Sequence, residues 1–175
     1  MVRVVISGPP GSGKTTQAKL VAEHFGLKYF SAGRLFREIA LKRGVGLEEL
    51  SIIAARDSSI DIEVDKKTFE AAREDNIVID AHLGAWIVSD IVDVRIYVFA
   101  PFSLRVLRIA ARDNKPVESA LKETLVRELS QKRRFMEFYG IDISDLSIFD
   151  VIVNTKNINA ERAFKIIKGA VENSV

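Results

Sequence analysis

Residues 8–15 read Gly8-Pro9-Pro10-Gly11-Ser12-Gly13-Lys14-Thr15, a full GxxxxGKT stretch between the apolar run Val2-Arg3-Val4-Val5-Ile6-Ser7 and a helical pattern. A strand that enters a glycine-rich turn and leaves directly as a helix restricts the chain to very few folds. The glycines permit backbone angles that aim successive N–H groups at phosphates. Lys14 can reach the terminal phosphates, and the Thr15 hydroxyl can ligate Mg²⁺. The helix that follows, starting through Thr16, turns its positive end to the same place. The stretch predicts a bound nucleoside triphosphate.

The rest of the chain supports an α/β reading. Strand patterns fall at about 2–7, 28–31, 77–80, 94–100 and 150–154, and helical patterns at about 14–25, 33–75, 103–112, 117–138 and 160–173. Three helices fit 33–75, broken at Gly44-Val45-Gly46 and at Asp57-Ser58-Ser59, which can supply a cap. Ile77-Val78-Ile79 and Val94 to Ala100 are runs of the kind buried on both faces of a parallel sheet. Pro116 suits the start of a new helix and Gly140 its stop. The expectation is one domain, 1–175, with a parallel sheet covered by helices.

Composition narrows the class. A chain of 175 residues, 47% hydrophobic, can bury a sizeable core unaided, and with no Cys it has neither disulfide nor cysteine-rich zinc site. No apolar stretch approaches a membrane span and no secretory leader is visible, so the chain is expected to be cytoplasmic, without membrane partners. The net charge of +2 argues against a general nucleic-acid binder. Small anions are the expected partners.

In parallel sheets, ligands gather at the carboxyl ends of the strands. Asp80 closes the third strand, where a carboxylate can serve the metal ion, although an acidic turn residue would look the same. Ser31 and Asn154 close two others. Arg105, Arg108 and Arg112 are spaced i, i+3, i+7, and Arg127 and Arg134 i, i+7, so each set shares a helical face. Guanidinium groups stabilise charge on a transferring phosphoryl group, whereas a solvated arginine row would have the same spacing.

ISGPPGSGKTT at 6–16, YFSAGRLFREIA at 29–40, Ala85-Trp86, RIAARD at 108–113 and FYGIDISDLSIFDVIVNT at 138–155 together resemble the nucleoside monophosphate kinases, in particular the short archaeal-type cytidylate kinases. The resemblance implies a P-loop NTPase fold: a five-stranded parallel sheet in a CORE at about 1–30, 76–102 and 139–175. It also implies a helical monophosphate-binding segment at about 31–75 and a LID region at about 103–138 with its tip at 112–117. The implied activity is transfer of the γ-phosphoryl of ATP to CMP or dCMP with Mg²⁺, and the chain is expected to act as a monomer.

Carried over by motif, Gly8, Pro9, Pro10, Gly11, Ser12, Gly13, Lys14, Thr15 and Thr16 would hold ATP, with Thr15 and Asp80 serving the metal. Ser31, Gly33, Arg37, Asp61 and Asp65 would bind the acceptor. Lys14, Arg112, Arg127 and Arg134 would act on the transferring group, and the backbone near Asn154 and Thr155 would flank adenine. No general base is needed, because the acceptor is already an anionic phosphate oxygen. Two mobile covers would shut out water.

The chain also departs from the family pattern. Arg34 follows SAG where an acidic residue is common, Ile62 stands where arginine is frequent, Asp80-Ala81-His82 replaces an acidic-Gly-Arg ending, and Gln131 takes an often acidic position. Asp61, Asp65, Lys66 and Lys67 are candidate base or phosphate contacts, or simply a solvated helix face. Three other readings stay open. A GTP-binding switch lacks support from Asn154-Thr155-Lys156-Asn157 and Asp80 to Gly84, which fit neither NKxD nor DxxG. A kinase for another metabolite would share the loop and arginines. A non-catalytic nucleotide-binding module would not need the full set.

Overall fold

The computed structural model describes residues 1–174. The elements run β1 Arg3–Ser7, α1 Lys14–Phe25, β2 Lys28–Ser31, α2 Ala32–Arg43, α3 Leu47–Ala54, α4 Ser59–Ala72, β3 Ile77–Asp80, α5 Gly84–Val88, β4 Val94–Phe99, α6 Phe102–Asp113, α7 Val117–Tyr139, β5 Val151–Asn154 and α8 Ala160–Glu172. The five strands form one sheet in the order β2-β3-β1-β4-β5, with every neighbouring pair parallel. The strand that carries the glycine-rich loop therefore lies at the centre. Register sets Ile6 and Ser31 on either side of Asp80, so three strands deliver their last residues to one edge.

Alternation along β1 sends Val4 and Ile6 to one face and Val5 to the other. Val4, Ile6, Val78, Ile96 and Val153 pack beneath α1 and α8 through Ala18, Val21, Ala163 and Ile167. Val5, Ile77 and Ile79 pack against Ala71 and Ala72 of α4, Ala85 and Val88 of α5, and Phe149. Ile39, Ala40, Leu50, Ala54 and Ile60 form a separate core inside α2–α4, and Val106, Ile109 and Ala120 another between α6 and α7.

Two local readings need correction. β4 is buried on alternate residues only, because Arg95, Tyr97 and Phe99 face a side that the helices cover incompletely. Helix α5 went unread, its five residues being too few to show a helical period. The Asp57-Ser58-Ser59 break does supply a cap: the Asp57 carboxylate accepts from the Ser59 N–H at 3.0 Å, while Ser58 makes no side-chain cap. Gly140 does close α7, at φ 67°, and His24 is packed edge-on to Phe25 and Phe164. Among the described residues no helix is long and apolar enough to cross a membrane.

Candidate active site

The loop between β1 and α1 is held in a conformation only glycine tolerates. Gly8 sits at φ 143°, where an added Cβ would meet the Val98 carbonyl at 2.0 Å, and Gly11 sits at φ 77° against the Arg105 backbone. The loop opens into a cavity of about 740 Å³, large enough for more than a single small metabolite. Pro10, Gly11, Gly13, Lys14, Thr15 and Thr16 line one wall, and Ser31, Gly33, Arg37, Asp61 and Asp65 of the α2–α4 segment the opposite one. Arg112 and Arg127 reach in from α6 and α7. Residues from both halves of the sequence-based assignment thus share one space.

Electrostatics divide that space. Burial holds the Lys14 ammonium below its ordinary range; Asp80 opposes that shift, and Arg127, Arg112 and Arg37 reinforce it. Burial likewise lowers Arg127, with Glu123 opposing. Cations gathered so closely, at a cost to one another, fit a site built for a polyanion. Across the cavity, burial pushes the Asp65 carboxyl up to about 6 despite a 2.6 Å hydrogen bond from the Tyr139 hydroxyl, and burial also raises Asp61 against the pull of Arg134.

Asp80 is almost fully enclosed and its Oδ2 accepts from the Thr15 hydroxyl at 2.7 Å and the Tyr29 hydroxyl at 2.8 Å. A carboxylate and a hydroxyl oxygen beside the phosphate loop fit a hard cation such as Mg²⁺ that takes few protein ligands and draws the rest from phosphates and water. Among the described residues no group of three or more His, Cys, Asp or Glu is placed to hold a metal ion. Burial, with Asp80 next, raises the Tyr29 phenol to about 12, so it remains a donor to that carboxylate. Tyr29 escaped the sequence reading because it precedes the strand-ending residue.

The structure separates the arginines. Arg108 donates to the Thr155 carbonyl at 2.8 Å and its hydroxyl at 2.9 Å, and Thr155 donates in turn to the Ser12 carbonyl at 2.8 Å. Arg105 is buried and donates to the Pro10 carbonyl at 3.0 Å. Neither belongs to a solvated row. Arg112 is exposed at the mouth, paired with Asp113. Arg134 does not line the cavity: only 1% exposed, it donates from Nε to Asp61 Oδ2 at 2.6 Å and from Nη1 to the Ser51 carbonyl at 3.2 Å. Asn154 and Thr155 likewise lie outside the lining.

The departures sort by position. Ile62 is 54% exposed, while Asp61 and Asp65, four residues apart on α4, share the cavity face. Arg34 is exposed and paired with Glu38, and Lys66 and Lys67 pair with Glu70 and Glu63 on the outer face of α4. His82 and Gln131 meet each other, Nδ1 to Oε1 at 2.7 Å, across the inner end of the cavity. Burial, reinforced by Lys14, pushes His82 down to about 3, so this contact joins two neutral side chains.

Comparison with known proteins agrees with this geometry. A family described as an AAA domain matches residues 7–133. A protein of Desulfurococcus amylolyticus called cytidylate kinase is 66% identical over 173 residues, 98% of this chain and 94% of its own. One of Staphylothermus marinus with the same name is 60% identical, over 98% and 97%. Among solved structures, the shikimate kinase of Acinetobacter baumannii in complex with shikimate superposes with a TM-score of 0.63 at 17% identity, covering 100% of this chain and 96% of that one, a likeness of fold alone.

Proposed function

The chain belongs to the cytidylate kinase family, and from that premise we propose that it transfers the γ-phosphoryl group of ATP to CMP or dCMP, giving ADP and CDP or dCDP. The observation that carries this reading is that one cavity holds both a cationic group, Lys14, Arg37, Arg112 and Arg127, beside the phosphate loop and a carboxylate group, Asp61 and Asp65 of α4. A donor triphosphate on the first and an acceptor on the second would bring their phosphates together between Lys14, Arg37, Arg112 and Arg127.

An oxygen of the acceptor's phosphate would attack the γ-phosphorus as the bond to the β–γ bridging oxygen breaks, and ADP would leave with that electron pair. No proton need move, so the protein's task is alignment and charge stabilisation. Lys14 and the loop N–H groups would hold the donor, Arg37 the acceptor phosphate, and Arg112 and Arg127 the group in flight. Thr15 and Asp80 would hold Mg²⁺, whose chemistry is to neutralise charge on the donor phosphates. Asp65 and Asp61 would accept from the exocyclic amino group of cytosine, which uracil lacks. We assign Arg134 to the support of Asp61 rather than to the phosphates. Ser31 caps α2, its Oγ accepting from the Arg34 N–H at 3.3 Å, and with Gly33 would present that helix to the acceptor. A monomer acting in the cytoplasm is sufficient for this chemistry, since one chain supplies both walls.

The test is ADP formation from ATP and Mg²⁺ with CMP, dCMP, UMP, AMP and GMP offered separately, each against a control lacking acceptor. Stimulation by CMP or dCMP is the expected result. Stimulation by another monophosphate alone would reassign the acceptor wall and leave the donor wall intact.

A further inference from the structure

We infer that Arg105, a residue outside the phosphate-contacting set, is a positioning residue that fixes both the phosphate loop and the angle at which α7 presents Arg127. The inference rests on the phosphoryl-transfer reading above. Arg105 stands in the first half of α6, 6% exposed, with its guanidinium over the Phe102 ring at 5.3 Å. Its Nε donates to the Ala100 carbonyl at 3.0 Å and its Nη1 to the Pro10 carbonyl at 3.0 Å. Its two terminal nitrogens also grip the Glu128 carboxylate of α7, Nη2 to Oε2 at 3.2 Å. One buried fork thus ties together the end of β4, the phosphate loop and α7.

The bond to Pro10 acts through peptide geometry. In a trans peptide the carbonyl and the following N–H point opposite ways, so holding the Pro10 carbonyl on the Arg105 guanidinium also fixes the direction of the Gly11 N–H, and both Pro10 and Gly11 line the cavity. The loop is seated from a second direction as well: a Cβ at Gly11 would come within 2.7 Å of the Arg105 carbonyl, so helix backbone and loop backbone are in direct contact. The bond to Glu128 acts on α7. Glu128 adjoins Arg127 and precedes Gln131 by one turn, and both of those line the cavity. Anchoring Glu128 fixes the rotation of α7 about its axis, and with it the direction of Arg127. A bidentate guanidinium–carboxylate pair has the directionality this needs, which a lysine would not supply.

A purely structural pair would give a different pattern from a positioning one. Removing one partner leaves the other charge buried and unpaired, so a single Arg105→Met can fail for reasons of stability alone. The double variant Arg105→Met with Glu128→Leu removes both charges and keeps apolar volume, which leaves folding close to that of the parent. Two readouts are needed: calorimetric binding of ADP, which involves no acceptor, and KM and kcat with ATP and CMP. The expected result for the double variant is a near-parental melting temperature, ADP affinity weakened by on the order of tenfold to a hundredfold, and a KM for CMP within about twofold. Glu128→Gln, which keeps the bond to Pro10, is expected to lower kcat by more than it weakens ADP. Unchanged ADP affinity in the folded double variant would overturn the inference, as would equal losses for ADP and CMP. A parent protein that binds ADP but phosphorylates no monophosphate would instead remove the functional reading, while the ADP comparison still judged the hold on the loop.

Discussion

Arg134 and Asp61 form a buried pair between α7 and α4, Nε to Oδ2 at 2.6 Å and Nη2 to Oδ1 at 3.3 Å, with the Ser51 carbonyl and the Ser130 hydroxyl accepting from the remaining Nη1. The α2–α4 segment is thereby clasped to α7. The two covers expected from the sequence therefore share a fastening. Breaking one side of such a pair costs about 3–5 kcal/mol. Arg134→Ala should lower the unfolding free energy on that scale and raise the KM for CMP, with ADP affinity nearly unchanged. Normal stability with only kcat reduced would instead return Arg134 to the transferring phosphoryl group.

Lys14→Met tests the donor wall. The ammonium is depressed by burial and by neighbouring arginines, so deleting it relieves that repulsion while removing the proposed donor to the reacting phosphates. The expected outcome is unchanged or slightly raised thermal stability and a fall in kcat of roughly a hundredfold to a thousandfold. Loss of stability in step with activity would contradict the assignment.

Asp65 gives a pH signature. Its carboxyl, raised to about 6 by burial, binds a proton more readily in the folded chain than in the unfolded one. Stability from this group is therefore greatest in acid and is lost as pH rises through 6, opposite to the usual carboxylate. Recognition of the acceptor needs the ionised form and should weaken as pH falls below 6. The acceptor's own phosphate titrates near pH 6, so the informative quantity is the difference between the parent and Asp65→Asn. That difference in kcat/KM for CMP should shrink in acid, and a constant ratio from pH 5 to 8 would exclude the role.

Chelation separates chemistry from folding. With Asp80 and Thr15 as the proposed holders of Mg²⁺ beside the phosphate loop, EDTA should abolish turnover and leave the melting temperature within a few degrees. Asp80→Asn should raise the Mg²⁺ concentration needed for half-maximal rate. A large thermal shift with EDTA would reveal a structural metal.

The helices and strands were legible wherever apolar spacing ran long enough: α1, β2 and β3 match the sequence reading residue for residue. Lys14, Thr15 and Asp80 were legible because the loop motif and the strand end are local features that register then brings together. The places of Arg105, Arg108 and Arg134 were not. Arg127 and Arg134 do share a nominal face, but seven residues carry Arg134 about 10 Å along α7, past the cavity and onto α4. Arg105 and Arg108 have the spacing of a solvated row, and only the packing of α6 against the loop shows them turned inward. Glu128 gave no local signal, since its partner lies 23 residues away on another helix.

The core formed by Ile39, Ala40, Leu50, Ala54 and Ile60 is built from α2–α4 alone, and Val64 of α4 joins it to the layer of Ala71 and Ala72 that packs on the sheet. A segment that carries its own apolar interior can swing without wetting it. Displacing its outer part would break polar clasps such as Arg134–Asp61, whereas moving Ala32 or the Ala71–Ala72 end would also strip apolar contacts from the sheet, so a swing that leaves those ends seated would meet a mainly electrostatic barrier. Opening should then quicken with added salt and respond only weakly to temperature. Amide exchange within α3 should stay slow even while the segment swings.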